Sequence, residues 1–206
     1  MKVRIIGINE AKNEAVEAAI EVLKSGGVIV YPTETCYGIG VDLTQPEAVE
    51  RLWRFKGERE GKPVLAAISS LKMAEEYTDI SVLGKKVVQK YWPGPVAIVA
   101  LSKGKIAKKA QGETDTIGLR MSANILVTEI VESLGKPISS TSANISGGNN
   151  PYSLDQFLEE TPKERVSIID LFVDAGELPQ NRPSTVIDTR GETLKVLRQG
   201  EVVVEI

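Results

Sequence analysis

The segment Gly26-Gly27-Val28-Ile29-Val30 restricts the fold more than any other. Upstream of it, Val16, Ala19, Ile20 and Leu23 recur at helical spacing. The two glycines stop that helix, because glycine adopts the backbone conformations that close a helix end. Downstream, three β-branched residues in succession read as a short buried strand. A helix feeding a buried strand belongs to an α/β protein, and in open α/β sheets ligands bind at the carboxyl ends of the strands. At that end stands Tyr31-Pro32-Thr33-Glu34-Thr35-Cys36-Tyr37-Gly38-Ile39-Gly40. Its hydroxyls can donate and accept hydrogen bonds, and its glycines would let a ligand approach the backbone.

The rest of the chain continues the alternation. Thr44 and Glu47 form a capping-box pattern with Pro46 in the first turn, opening a helix through Lys56. Leu65 to Ile68 and Val96 to Leu101 read as strands, the second introduced by the rigid turn Trp92-Pro93-Gly94-Pro95. Ser70 and Ser81 are expected helix N-caps, Ser122 is expected to cap a helix ending at Gly135, and Ser153 with Gln156 forms another capping box. Thr116 to Arg120 and Ile168 to Val173 are further strands, and the tail should hold a hairpin around Gln199-Gly200. Strands alternate with helices and then follow one another. The expected architecture is α/β, a twisted open mixed sheet with packed helices. No repeat or linker divides the chain, so one domain over residues 1–206 is expected.

Composition removes whole classes of chemistry. The chain has no histidine, which excludes Ser-His and Cys-His catalysis and any zinc site built on imidazole. One cysteine, Cys36, excludes an internal disulfide and is expected to be a small packed residue. No metal site is expected from protein side chains. A net charge of −3 gives no global pull toward nucleic acid or an anionic membrane, although a local basic cleft is compatible with it. The absence of a long apolar stretch and of a signal-peptide pattern leads to the expectation of a cytoplasmic protein with no membrane partner. What remains for function is Lys, Arg, carboxylates, hydroxyls and backbone amides, a set suited to binding phosphates.

Four polar clusters fall at the expected strand ends or in the loops after them. The first is the Tyr31–Gly40 segment. The second, Lys56-Gly57-Glu58-Arg59-Glu60-Gly61-Lys62-Pro63, sets three cations among two glycines and could neutralise a polyphosphate, although a solvated charge run would read the same. In the third, Arg120 shares an otherwise apolar strand with Thr116; it could grip a carboxylate or phosphate, or form a structural ion pair. The fourth runs from Ser139 through Ser140-Thr141-Ser142-Ala143-Asn144 to Asn150 and could form an anion nest or satisfy its own backbone. No phosphate-loop or dinucleotide fingerprint is present, so a nucleotide would be held another way.

The order of these segments is more specific than any one of them. The succession Y-P-T-E-T-x-Y-G, K-G-x-x-x-x-K-P, W-P-G-P, R-x-S, S-T-S-A-N, P-S-T-V-I-D and L-R-x-G, from about Ala15 to Val203, resembles the YrdC-like family, which includes threonylcarbamoyl-AMP synthases. The resemblance implies a single-domain form with a concave basic cavity in a twisted open sheet. It implies an enzyme, a nucleotidyltransferase that makes threonylcarbamoyl-adenylate and pyrophosphate from L-threonine, bicarbonate and ATP, with Mg²⁺ accompanying the ATP. A threonylcarbamoyl-transferase partner enzyme would then modify tRNA, and contact with tRNA or other RNA belongs to the same picture. By motif, Thr33, Thr35, Arg120, Ser140 and Ser184 would bind threonine. Lys56, Arg59, Lys62, Thr116, Ser142, Asn144 and Arg198 would bind ATP, with Lys56 and Arg59 also acting in catalysis.

Three positions depart from the family's usual pattern. Glu34 stands where Asp is commoner, and Met121-Ser122 replaces a frequent Ala-Pro pair. Glu58 occupies the place of an Arg, with Arg59 one residue later. That last change motivates the alternative reading, a paralogue that holds RNA or a nucleotide without efficient synthase activity.

Overall fold

The computed structural model describes residues 3–57, 61 and 63–206. The chain runs through β1 (Arg4–Gly7), α1 (Ile8–Lys24), β2 (Ile29–Pro32), β3 (Tyr37–Gly40), α2 (Pro46–Lys56), β4 (Leu65–Ala67), α3 (Leu71–Tyr77) and β5 (Thr78–Asp79). It continues with α4 (Val82–Tyr91), β6 (Val96–Ser102), β7 (Thr116–Arg120), α5 (Ile125–Leu134), β8 (Ile138–Ser139) and β9 (Thr141–Ser142). The last elements are α6 (Leu154–Glu160), α7 (Lys163–Val166), β10 (Leu171–Asp174), β11 (Thr185–Asp188) and β12 (Lys195–Arg198).

The α/β class and the mixed strand directions agree with the expectation, but the strands divide between two sheets. One has the order β1-β10-β2-β3-β9, the other β12-β11-β6-β7-β4-β8 with β5 on β6. In the first, β1, β10 and β2 run parallel and β3 and β9 add antiparallel. In the second, β11 pairs parallel with β6 and β4 parallel with β7, while β6 and β7 are antiparallel. Ser140 alone separates β8 from β9, so the chain passes from one sheet to the other within a single residue.

Helix α1 closes on the first sheet through Ala15, Ala18, Ala19 and Leu23, which pack with Leu126, Val127, Ile130 and Val131 of α5. The small alanines let α5 lie close. The larger core runs between the sheets and the remaining helices, with Phe55, Phe157, Phe172 and Tyr37 in consecutive ring contacts of 6.2, 5.4 and 4.9 Å between centroids. Such rings contribute area burial and about 0.5–1.5 kcal/mol more per well-placed pair.

Several helix starts form as expected. The hydroxyls of Ser70, Ser81 and Ser153 accept the amides of Met73, Gly84 and Gln156 at 3.1, 2.9 and 3.2 Å. Two differ. Gln45, not Thr44, holds the N-cap position of α2, with no side-chain capping bond among the described residues, and the Thr44 hydroxyl instead donates to Asp42 Oδ1 at 2.7 Å. Asn124, not Ser122, caps α5, its Oδ1 accepting the Leu126 amide at 3.0 Å. The tail hairpin also moves: β11 and β12 pair across residues 189–194, and Gln199-Gly200 lies after β12. A Cβ on Gly200 would stand 2.0 Å from the Pro183 carbonyl oxygen, so glycine serves close chain approach there rather than a turn.

Candidate active site

A cavity of about 600 Å³ opens between the two sheets. Its wall takes Gly38 from β3, Gly118 and Arg120 from β7, Ser142 from β9 and Arg198 from β12. Among the described residues, the charged side chains lining it are Lys56, Arg120 and Arg198, all cations. Leu65, Val99, Val186 and Leu197 give it an apolar side. Gly118 makes room for Leu65, since a Cβ there would come within 2.1 Å of the leucine Cδ2.

The Tyr31–Gly40 segment is a hairpin, β2 returning as β3 with Pro32 opposite Tyr37. Thr33 shapes its turn. Its hydroxyl accepts the amides of Thr35 and Cys36 at 3.1 and 3.2 Å and donates to the Cys36 carbonyl at 2.7 Å. Thr35 stands 3.0 Å away, hydroxyl to hydroxyl, and both line the cavity. The glycines serve packing as much as access. A Cβ on Gly40 would meet the buried Tyr31 ring at 2.9 Å, while Gly38 reaches the cavity wall. Tyr31 donates its hydroxyl to the Ser139 carbonyl at 2.8 Å, and burial pushes its pKa well up, so it stays a neutral donor. Burial likewise raises the Cys36 thiol, the state of a packed side chain rather than a nucleophile.

Lys56 ends α2, where positively charged side chains face the carbonyl end of the helix. It is 3% exposed, and its Nζ donates to the carbonyls of Ser142 and Asn144 at 2.7 Å each and to Asn144 Oδ1 at 3.0 Å. Asn144 Oδ1 also accepts the Ser142 hydroxyl at 2.6 Å. The second and fourth clusters therefore meet in space. Arg59 and Lys62, and with them Glu58, lie outside the described residues.

Arg120 is 5% exposed at the end of β7, and its Nη2 stands 2.6 Å from Glu34 Oε1. Burial opposes the charge of Glu34, but the Arg120 guanidinium, the Ser122 hydroxyl and the Ala123 amide together hold its pKa below the ordinary carboxylate value. Ser140 lines the cavity where the chain changes sheets. Ser184 lies opposite, its hydroxyl accepting Arg198 Nη2 and its carbonyl accepting Arg198 Nε, both at 3.0 Å. Thus Thr33, Thr35, Lys56, Arg120, Ser140, Ser142, Asn144, Ser184 and Arg198 all border one cavity.

Thr116 is the exception. It occupies the opposite end of β7 from Arg120, is buried, and shares a 2.7 Å hydrogen bond with Thr114; it does not line the cavity. Glu34 and Asn181 are the functional candidates not assigned from the sequence. Asn181 lines the cavity and donates through Nδ2 to the Glu34 carbonyl at 2.9 Å. The carboxylate in an otherwise hydroxyl-rich turn was the one signal for Glu34, whereas Asn181 sits in a polar loop with no distinguishing pattern.

Comparisons with known proteins agree with this fold. A threonylcarbamoyl-AMP synthase of Vibrio vulnificus is 32% identical over 89% of this chain and 97% of its own length. The structure of Pyrococcus abyssi Sua5 complexed with L-threonine superposes with a TM-score of 0.86 at 27% identity, covering 97% of this chain and 58% of that one. This chain therefore spans less than two thirds of P. abyssi Sua5. E. coli YciO superposes with a TM-score of 0.82 at 27% identity, covering 97% of this chain and 96% of its own. The family model for Sua5, YciO and YrdC, described as telomere recombination, matches residues 21–200, both cavity walls included, and the chain belongs to that family.

Proposed function

We propose that the chain is a threonylcarbamoyl-AMP synthase in which residues 1–206 form one domain, and that it works in the cytoplasm. The observation that carries the reading is the cavity between the sheets, whose charged lining among the described residues is cationic and is set among hydroxyls. The Vibrio vulnificus relative's name and the Sua5 structure with L-threonine support the same reaction.

In this reading, the threonine amine attacks bicarbonate, a C–N bond forms, and water leaves to give a carbamate. A carbamate oxygen then attacks the α-phosphorus of ATP. An O–P bond forms, the bridging P–O bond to the β-phosphate breaks, and pyrophosphate departs with its electron pair. Both reactants of the second step are anions. Their repulsion at ~4 Å is on the order of 1 kcal/mol in water and ~4 kcal/mol near a protein surface. Fixed cations offset that repulsion and align the attack. Arg120 grips the threonine carboxylate, with Thr35, Ser140 and Ser184 around the amino acid and Thr33 holding the turn that presents Thr35. Lys56, Ser142, Asn144 and Arg198 face the nucleotide, and the family motif assigns Arg59 and Lys62, outside the described residues, to the same ligand.

Among the described residues no cluster of three or more His, Cys, Asp or Glu could hold a metal ion. A cavity with this cationic lining fits Mg²⁺ as an ion carried by phosphate oxygens and water, where it neutralises triphosphate charge. No helix among the described residues is long and apolar enough to cross a membrane. The product would pass to a threonylcarbamoyl-transferase acting on tRNA.

The test is incubation with ATP, bicarbonate and labelled threonine. Pyrophosphate and a labelled adenylate are expected only when all three are present. Pyrophosphate release no greater than that of Lys56→Ala overturns the reading. Tight, salt-sensitive RNA binding without ATP turnover would instead mark an RNA- or nucleotide-holding paralogue.

A further inference from the structure

Glu34 does not line the cavity, yet it touches three segments, two of which, those of Arg120 and Asn181, do line it. Its Oε1 pairs with Arg120 of β7 at 2.6 Å. Its Oε2 accepts the Ser122 hydroxyl at 2.5 Å, and Oε1 accepts the Ala123 amide at 3.0 Å, just before α5. Its backbone carbonyl accepts Asn181 Nδ2 at 2.9 Å, in the segment that leads to Ser184.

The Arg120 guanidinium is buried, and among the described residues neither Nε nor Nη2 has an aligned hydrogen-bond acceptor. The contact with Glu34 is thus a single charge–charge approach, not the two parallel bonds of a bidentate fork. A buried guanidinium kept in place by one carboxylate loses its orientation when that carboxylate loses its charge, because the uncompensated cation turns toward water.

We infer that Glu34 is a positioning residue for carboxylate recognition, holding the Arg120 guanidinium at the cavity wall and tying it to the segment that bears Ser184. This rests on the threonine reading above. Glu34 touches no reacting atom; it acts through Arg120. Its own carboxylate is fixed by Ser122 and Ala123, so the strut is rigid at both ends.

The experiment compares wild type with Glu34→Gln and Glu34→Asp by calorimetric titration with L-threonine and, separately, with a non-hydrolysable ATP analogue. Glutamine keeps the side-chain length and removes the charge. Aspartate keeps the charge on a shorter arm and supplies a second variant should the first fail to fold. Glu34→Gln is expected to weaken threonine binding about tenfold or more while nucleotide affinity stays within about twofold. Glu34→Asp should recover a large part of the threonine affinity. A purely structural role would weaken both ligands together, and that result overturns the proposal. So does threonine affinity in Glu34→Gln within about twofold of wild type. Wild-type protein without saturable threonine binding would overturn the underlying reading and this proposal with it.

Discussion

The two buried cations of the cavity are held by different means. Among the described residues, Lys56 donates to two main-chain carbonyls of the β9 segment and to Asn144 Oδ1. Among the described residues, Arg120 pairs with one side chain, Glu34, from the β2–β3 turn of the other sheet. Main-chain anchors are set by the fold and survive most substitutions around them. A side-chain anchor is only as durable as the residue that supplies it. The Lys56 side of the cavity, proposed for the nucleotide, is therefore robust by construction, and the Arg120 side, proposed for threonine, is tunable at a single position.

Breaking the weaker anchor should have the larger effect. Arg120→Ala removes the guanidinium and leaves the half-buried Glu34 carboxylate without its cation, so threonine binding should fall by about 2–5 kcal/mol, with a lower melting temperature. Calorimetry and a thermal melt check both parts. Asn144→Ala takes away the side-chain oxygen on Lys56 and leaves the Ser142 and Asn144 carbonyls. Nucleotide binding should weaken by about 1–2 kcal/mol, and a loss as large as that for Arg120→Ala would erase the contrast.

Acid should separate the walls as well. The Glu34 pKa lies below its unfolded value of about 4.3, so the carboxylate contributes stability that is fully present above that value. That stability is lost as pH falls through the lower folded pKa. Threonine affinity and melting temperature should hold steady from pH 8 to 5 as far as Glu34 is concerned, and the acid-side loss should be absent in Glu34→Gln. A titration of intrinsic stability against pH reads this directly. The smallest effect belongs to the surface: Lys12→Ala removes an exposed pair with Glu129 and should change stability by less than about 0.5 kcal/mol.

How much of this was legible follows from the range of the interactions. Ser70, Ser81 and Ser153 could be read because an N-cap bond spans only a few residues; Ser81 keeps its cap bond even while its hydroxyl donates to the distant Thr189 carbonyl, since a hydroxyl can accept and donate at once. Ser122 could not, because its hydroxyl turns to Glu34, 88 residues away in sequence. Thr44 was lost to Asp42 in the same way, though over two residues. Lys56, Arg120, Ser140 and Arg198 were findable because their motifs recur in a fixed order, not because any local pattern showed that they converge. Thr116 lies in the correct strand, but it stands four residues from Arg120, and a strand rises about 3.3 Å per residue, which carries it to the far end. The division into two sheets left no trace in the alternation of strands and helices, since pairing partners are chosen in three dimensions.

The one-residue passage at Ser140 sets how the chain can tolerate changes of length. Strands β8 and β9 each hold only two residues, and each is registered against a different sheet. An insertion there would shift one of them by a residue and turn its side chains to the opposite face. The six residues between β11 and β12 carry no such constraint, because both strands belong to one sheet and the connection can lengthen outward. Drift in loop length can therefore collect at the tail hairpin, while the crossing between the sheets keeps its count.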